Sequence, residues 1–134
     1  TYKRSGNTSI YWLGPNEWLV TAASDALSLE SALRQQLKGH VAVVDVSGGQ
    51  TQVNLSGEQV GTLLKKASVY DFGSWAEALG QDGRCTQTTF ASASALVAQN
   101  ADGSIDLIIR RSFSDYIMQW LLDAVKDTGF KSQA

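Results

Sequence analysis

Histidine and cysteine are nearly missing from this chain, which carries one of each, His40 and Cys85. Tetrahedral zinc sites draw three or four ligands from nitrogen and sulfur, so a structural zinc held that way is excluded. One thiol closes no intrachain disulfide, and a free cysteine suits a reducing cytosol better than a secretory route. An excess of positive charge is missing as well. Eleven Lys and Arg stand against thirteen Asp and Glu, a net charge of −2, the wrong sign for holding nucleic acid by neutralising phosphates. Apolar runs such as Val41 to Val44 and Leu107 to Ile109 fall far short of the ~18 residues of a membrane span. The opening Thr-Tyr-Lys-Arg-Ser-Gly-Asn leads into no apolar stretch of signal-peptide length. The expectation is a cytoplasmic protein with neither nucleic acid nor membrane as partner. Position 1 is Thr rather than Met, which reads as a trimmed, processed or incompletely seen start. Gly48-Gly49 is followed by neither G-x-G-x-x-G nor G-K-[ST], so it is a turn and not a phosphate-binding loop.

What remains is a globular composition. The 134 residues, 43% hydrophobic and 18% charged, make a single domain over residues 1–134, long enough to bury a core without disulfide or metal. Ser9 to Leu13 and Glu17 to Ala22 flank the turn signal Gly14-Pro15-Asn16 and form a hairpin. Leu29, Leu33 and Leu37 share one helical face, with Ser28 able to cap its start and Gly39 its end. Val41 to Val46 is β-branched and short, the pattern of a strand buried on both faces and central in its sheet. It pairs through Ser47 to Gln50 with a half-buried strand, Thr51 to Leu55. Ser56 and Gln59 have capping-box spacing ahead of a helix that buries Val60, Leu63, Leu64 and Ala67.

The stretch Val69 to Gly83 reads as an ordered connection. Strands follow at Cys85 to Phe90, Ala95 to Ala98 and Ser104 to Arg110, the last two joined by the hairpin signal Asn100-Ala101-Asp102-Gly103. A final helix starts at Ser112, with Asp115 in capping position, runs Phe113, Ile117, Trp120, Leu121 and Ala124 down one side, and stops at Gly129. The order predicts an α+β fold, a ferredoxin-like split βαβ sandwich with an added hairpin and a C-terminal helix.

Constellations that carry chemistry are scarce. His40 and Cys85 sit in different elements, and a lone cysteine at a strand start is chiefly a small buried hydrophobe. Arg110 and Arg111 precede a helix N-terminus, where backbone N–H groups favour an anion. Adjacent strand residues point to opposite faces, so the pair also reads as a salt bridge to Asp115 or another acid. Asp45 stands out among the carboxylates because it lies inside a β-branched strand, where an unpaired buried charge is costly. No catalytic set and no cofactor or metal ligands emerge. The aromatics are more telling. Trp12, Trp18, Trp75 and Trp120 are numerous for a domain this size, and those surplus to the core mark a partner surface.

Four blocks carry a resemblance. They are Trp12 to Val20, His40 to Ser47, Gly83 to Thr88, and Arg110 to Tyr116, and they follow the order found in the gamma subunit family of heterotetrameric sarcosine oxidase. From Val44 through Val125 the chain is similar, more loosely, to the folate-binding region of glycine-cleavage aminomethyltransferases. The folate-binding domain of such an enzyme is the alternative reading. In those enzymes the strand before the last hairpin carries an acid that works at the folate, whereas Ser92 to Ala98 has none. The resemblance therefore implies an aminomethyltransferase-like fold without its catalysis. It implies a partner, the alpha subunit, within an alpha-beta-gamma-delta complex that demethylates sarcosine to glycine. Oxygen is reduced there to hydrogen peroxide, and 5,10-methylenetetrahydrofolate forms. FAD, FMN, NAD and tetrahydrofolate are expected in the larger subunits and not in this chain, which begins later than a typical member.

Overall fold

The computed structural model describes residues 1–78, 83–126 and 129. Seven strands and three helices follow one another: β1 (Tyr2–Ser5), β2 (Thr8–Gly14), β3 (Glu17–Ala22), α1 (Ala26–Gln36), β4 (Gln50–Leu55), α2 (Val60–Ala67), β5 (Arg84–Phe90), β6 (Ala93–Gln99), β7 (Ile105–Arg110) and α3 (Ser114–Ala124). Short 3-10 turns precede β4 (Ser47–Gly49), β5 (Gly73–Ala78) and α3 (Arg111–Phe113). Two antiparallel sheets result, a three-stranded meander β1-β2-β3 and a four-stranded sheet in the order β4-β7-β6-β5. The helix-linked strands β4 and β5 are split to opposite edges with β7 and β6 between them, and they run in opposite directions. The α+β architecture, the N-terminal hairpin and the C-terminal helix agree with expectation. Among the described residues no helix is long and apolar enough to cross a membrane.

The four-stranded sheet is the middle layer. Alternation along β6 and β7 sends Ala95, Val97, Ile105, Leu107 and Ile109 to one face, where they meet Leu63 and Leu64 of α2, Ile117 and Leu121 of α3, and Phe72 and Trp75. The other face gives Leu96, Ala98 and Ile108 to Tyr2 and Tyr11 of the meander. Covered on both sides, β6 and β7 are apolar almost throughout. The helix α2 buries the four residues its 3.6-residue spacing singled out, Val60, Leu63, Leu64 and Ala67. Its capping box is not made, because the helix begins at Val60 and Gln59 forms no side-chain cap.

Four local expectations fail here. Val41 to Val46 belongs to no strand and is largely exposed. The doubly covered positions go to β6 and β7, which find one another across the tight Asn100–Gly103 turn, closed by Gly103 N–H donating to the Asn100 carbonyl at 2.9 Å. β4 consequently pairs with β7 and not with the segment just before it. α1 starts at Ala26, capped by Asp25 accepting from Ser28 N–H at 3.0 Å, and buries none of its residues. The C-terminal helix begins at Ser114 behind a 3-10 turn and ends at Ala124, short of Gly129, leaving Phe113 40% exposed.

Candidate partner interface

The meander is apolar on both faces, and its register decides which residues meet the core. Tyr2 pairs with Tyr11 and Tyr11 with Leu19, while Arg4 pairs with Ser9; this set faces the four-stranded sheet. Ile10 pairs with Val20 and Trp12 with Trp18, and this set faces away. Ile10, Trp12 and Trp18 remain 44%, 49% and 56% exposed. Cross-strand neighbours on one sheet face touch or nearly touch, so these side chains form one continuous apolar stripe.

The platform beneath the stripe is firmly seated. Tyr2 and Tyr11 stack at 5.0 Å with their planes 25° apart over Leu96, Ala98 and Ile108. Tyr2 donates its hydroxyl to Asn100 Oδ1 at 2.7 Å and its N–H to the Gly83 carbonyl at 2.8 Å. Burial pushes the Tyr2 phenol above its ordinary pKa, with the Arg4 guanidinium pulling the other way. Arg4 donates to Ser9 Oγ at 3.0 Å and forms an ion pair with Asp106 Oδ2 at 3.2 Å. Gln87 Nε2 donates to the Leu13 carbonyl at 3.1 Å, and the Cys85 thiol donates to the carbonyls of Thr1 and Trp12. These bonds tie β1 and β2 to the four-stranded sheet and the segments that flank its strands. Trp12 and Trp18 are thus displayed on a preorganised surface, which lowers the ordering cost of docking.

The other tryptophans lie across the central sheet. Trp75 is 4% exposed, edge-on to Phe72 at 4.9 Å, and its carbonyl accepts from Gln99 Nε2 at 3.0 Å. It is core and not a surface anchor, because the Gly73–Ala78 turn folds it under the sheet, a connection that sequence leaves without direction. Trp120 is half-buried, edge-on to Phe90 at 5.5 Å. Arg110 and Arg111 are both exposed, and neither forms an ion pair with a described residue, Asp115 included. The Ser114 hydroxyl donates to the Arg111 carbonyl at 2.6 Å.

Asp45 is exposed and accepts from the Ser47 hydroxyl and N–H, which hold its carboxyl below the usual range. The buried carboxylate is Asp106, 2% exposed, held by Arg4 and by Asn54 Nδ2 at 2.7 Å. Sequence reasoning passed over it, although an acid between Ile105 and Leu107 in an apolar strand is the signal for a paired charge. His40 is exposed on the segment after α1, whereas the hydrogen bonds of Cys85 go to carbonyl oxygens on the meander.

The model of a family described as sarcosine oxidase, gamma subunit family, matches residues 1–127. Among curated relatives, a sarcosine oxidase subunit gamma from Corynebacterium sp. (strain P-1) is 31% identical over 123 residues, covering 90% of this chain and 58% of that protein. Its counterpart from Corynebacterium sp. (strain U-96) is 28% identical over 123 residues, covering 90% and 57%. The chain therefore spans somewhat over half the length of the curated relatives it matches. A solved heterotetrameric sarcosine oxidase from Corynebacterium sp. U-96, in complex with pyrrole 2-carboxylate, superposes with a TM-score of 0.79 at 23% identity. That match covers 96% of this chain and 64% of the other, and it shows a shared fold.

Proposed function

The chain belongs to the sarcosine oxidase gamma subunit family, and on that premise we propose that it is a non-catalytic subunit of a heterotetrameric sarcosine oxidase, docked on the alpha subunit through Trp12 and Trp18. The reaction proposed for the complex consumes sarcosine, oxygen and tetrahydrofolate and yields glycine, hydrogen peroxide and 5,10-methylenetetrahydrofolate. Flavin, nicotinamide nucleotide and folate are assigned to the larger subunits. This chain contributes surface, not reacting groups.

The observation that carries the reading is the outward stripe of Ile10, Trp12, Trp18 and Val20 on a sheet whose inner face is already satisfied. Aromatic anchors at the centre of an interface are where binding energy concentrates, and truncating one costs ~2 kcal/mol or more, about thirtyfold in affinity. Net charge is only −2, so long-range steering is weak and the contact is expected to be only mildly salt-dependent. The test measures binding of the chain to the alpha subunit at low and high salt, then repeats it with Trp12→Ala and Trp18→Ala. Each substitution is expected to weaken binding at least tenfold while the free chain's melting temperature holds. Undiminished binding by the double variant, or collapse of wild-type binding in high salt, overturns the reading. The purified chain alone is expected to be colourless and to release no peroxide from sarcosine. Yellow protein with stoichiometric flavin counts against it.

A further inference from the structure

The hairpin that displays the tryptophans is one residue out of step with its own turn. Gly14 pairs with Glu17 across Pro15-Asn16, whereas further along the strands Trp12 pairs with Trp18, Tyr11 with Leu19, Ile10 with Val20 and Ser9 with Thr21. Two steps along β2 are thus matched by one along β3, and Leu13 is the extra residue of a β-bulge. Without the bulge, the pairing set at the turn runs on unbroken: Leu13 meets Trp18, Trp12 meets Leu19 and Tyr11 meets Val20. A slip of one residue moves every side chain of a strand to the other face. Trp18 and Val20 then lie under the meander with Tyr11, and Leu19 and Thr21 lie outside with Trp12. The bulge is therefore what sets both tryptophans on one outer face.

Hydrophobicity does not choose between the two registers. The inward set of β3 is Leu19 and Thr21 in the bulged register and Trp18, Val20 and Ala22 in the slipped one, and the slipped set is the more apolar. The turn from Gly14 to Glu17 is common to both. β2 itself is not free to move, because β1 pairs with it from Thr8 to Tyr11 and the Trp12 N–H donates to the Thr1 carbonyl at 3.1 Å. The slip belongs to β3, and the group that tells the registers apart is the backbone of Leu13. Main-chain groups alternate in direction along a strand, so with Trp12 turned to the β1 side, an unbroken ladder turns the Leu13 carbonyl to β3. At the bulge that carbonyl instead accepts from Gln87 Nε2 at 3.1 Å. Gln87 stands on β5 opposite Leu96, on the face that the meander covers. We infer that Gln87 is a positioning residue that locks the register: its hydrogen bond to the Leu13 carbonyl holds the bulge and so keeps Trp18 beside Trp12 on the outer face. The use of that face rests on the proposed function, whereas the lock is a property of this chain alone.

Two substitutions at this exposed position test the lock without touching the core. Gln87→Met keeps the length of the side chain and removes the donor, and Gln87→Lys keeps a donor. NMR of the full chain reads the register directly. In the wild type, main-chain NOEs are expected to pair Trp12 with Trp18 and Tyr11 with Leu19. In Gln87→Met a second set, Trp12 with Leu19 and Leu13 with Trp18, is expected to gain up to about tenfold in population, the shift that one hydrogen bond of ordinary net strength commands. Chemical-exchange saturation transfer measures that population where it is small. Gln87→Lys is expected to keep the wild-type pairs. A bond that merely adds stability lowers the melting temperature of Gln87→Met and leaves its pairs unchanged, so no gain in the second set overturns the inference. Equal slippage in Gln87→Lys overturns it too, because the donated bond is then not the cause. Binding to the alpha subunit separates this from the reading beneath it, since affinity should fall only by the fraction of chains left in the bulged register. Slippage with undiminished affinity removes docking through Trp18 and leaves the lock standing. Wild-type pairing in Gln87→Met, with binding that still depends on Trp12 and Trp18, removes the lock alone.

Discussion

Replacing Arg4 by Met takes the cation from a carboxylate that the fold has almost wholly removed from water. The Asp106 side chain is 3% exposed and that of Arg4 46% exposed, with 3.2 Å between them. Removing one partner of a buried pair costs roughly 3–5 kcal/mol, because the other charge stays behind uncompensated. Here the low end applies. Half-exposed Arg4 already shares its charge with solvent, and Asn54 Nδ2 remains at 2.7 Å to hold the carboxylate. Arg4→Met is therefore expected to cost about 3 kcal/mol, which at about 4 °C per kcal/mol for a chain of this length lowers the melting temperature by about 12 °C.

The reverse substitution is milder. With Asp106→Asn the guanidinium turns to water and Asn54 can still be met by an amide oxygen, so the loss is about 1 kcal/mol. The asymmetry is the substance of the prediction, since a pairwise energy assigned to the bridge makes both variants equal. Urea and thermal unfolding of the two variants, followed by circular dichroism, read it directly. A loss under about 1 kcal/mol for Arg4→Met, or a larger loss for Asp106→Asn, refutes the reasoning that an uncompensated buried charge dominates.

Three further outcomes are expected. Tyr11 is fully buried and its hydroxyl has no hydrogen-bond partner; Tyr11→Phe should leave the melting temperature unchanged or raised, and a loss beyond about 1 kcal/mol contradicts this. A Cβ at Gly83 falls against the buried Tyr2 ring, so Gly83→Ala should cost roughly 1–3 kcal/mol by displacing it, and full stability of that variant shows that the ring can move freely. The Ser104 hydroxyl and N–H hold the Asp102 carboxyl below its ordinary pKa of 3.8. A depressed folded-state pKa stabilises above the ordinary value and loses that contribution as pH falls below it; Ser104→Ala should raise the Asp102 pKa in an NMR titration, and an unmoved titration refutes the assignment.

Periodicity exposed those parts of the fold whose partners are close in sequence. The buried face of α2 was legible from its one-sided pattern, and the β6–β7 hairpin and the hairpin of β2 and β3 from the turn residues between their strands. β1 was not. Tyr2 to Ser5 carries two cations and no alternation, and it is a strand because Tyr2 stacks on Tyr11 and Arg4 reaches Asp106, a residue near the other end of the chain. The partner of Asp106 was illegible for the same reason, since Arg4 lies on a strand that sequence alone does not reveal. Val41 to Val46 shows the converse, a strand signal without a strand, because a β-branched run states a preference for pairing and not the identity of the pair.

The candidate interface turns on a subtler ambiguity in β2. Its inward set, Ser9, Tyr11 and Leu13, and its outward set, Ile10 and Trp12, are comparably apolar. Alternation alone therefore cannot say which of them faces the core. An antiparallel sheet with one face in water ordinarily resolves the question by placing polar residues outside. This one does not, and the structure shows that Tyr2, Tyr11, Leu13 and Leu19 already complete the contact with the four-stranded sheet. Ile10, Trp12 and Trp18 are surplus to what the fold itself requires. Apolar side chains at that exposure on so well-anchored a sheet mark a surface suited to a partner, so the two-sided apolar pattern that leaves the faces of β2 undecided in sequence is the same feature on which the proposed interface rests.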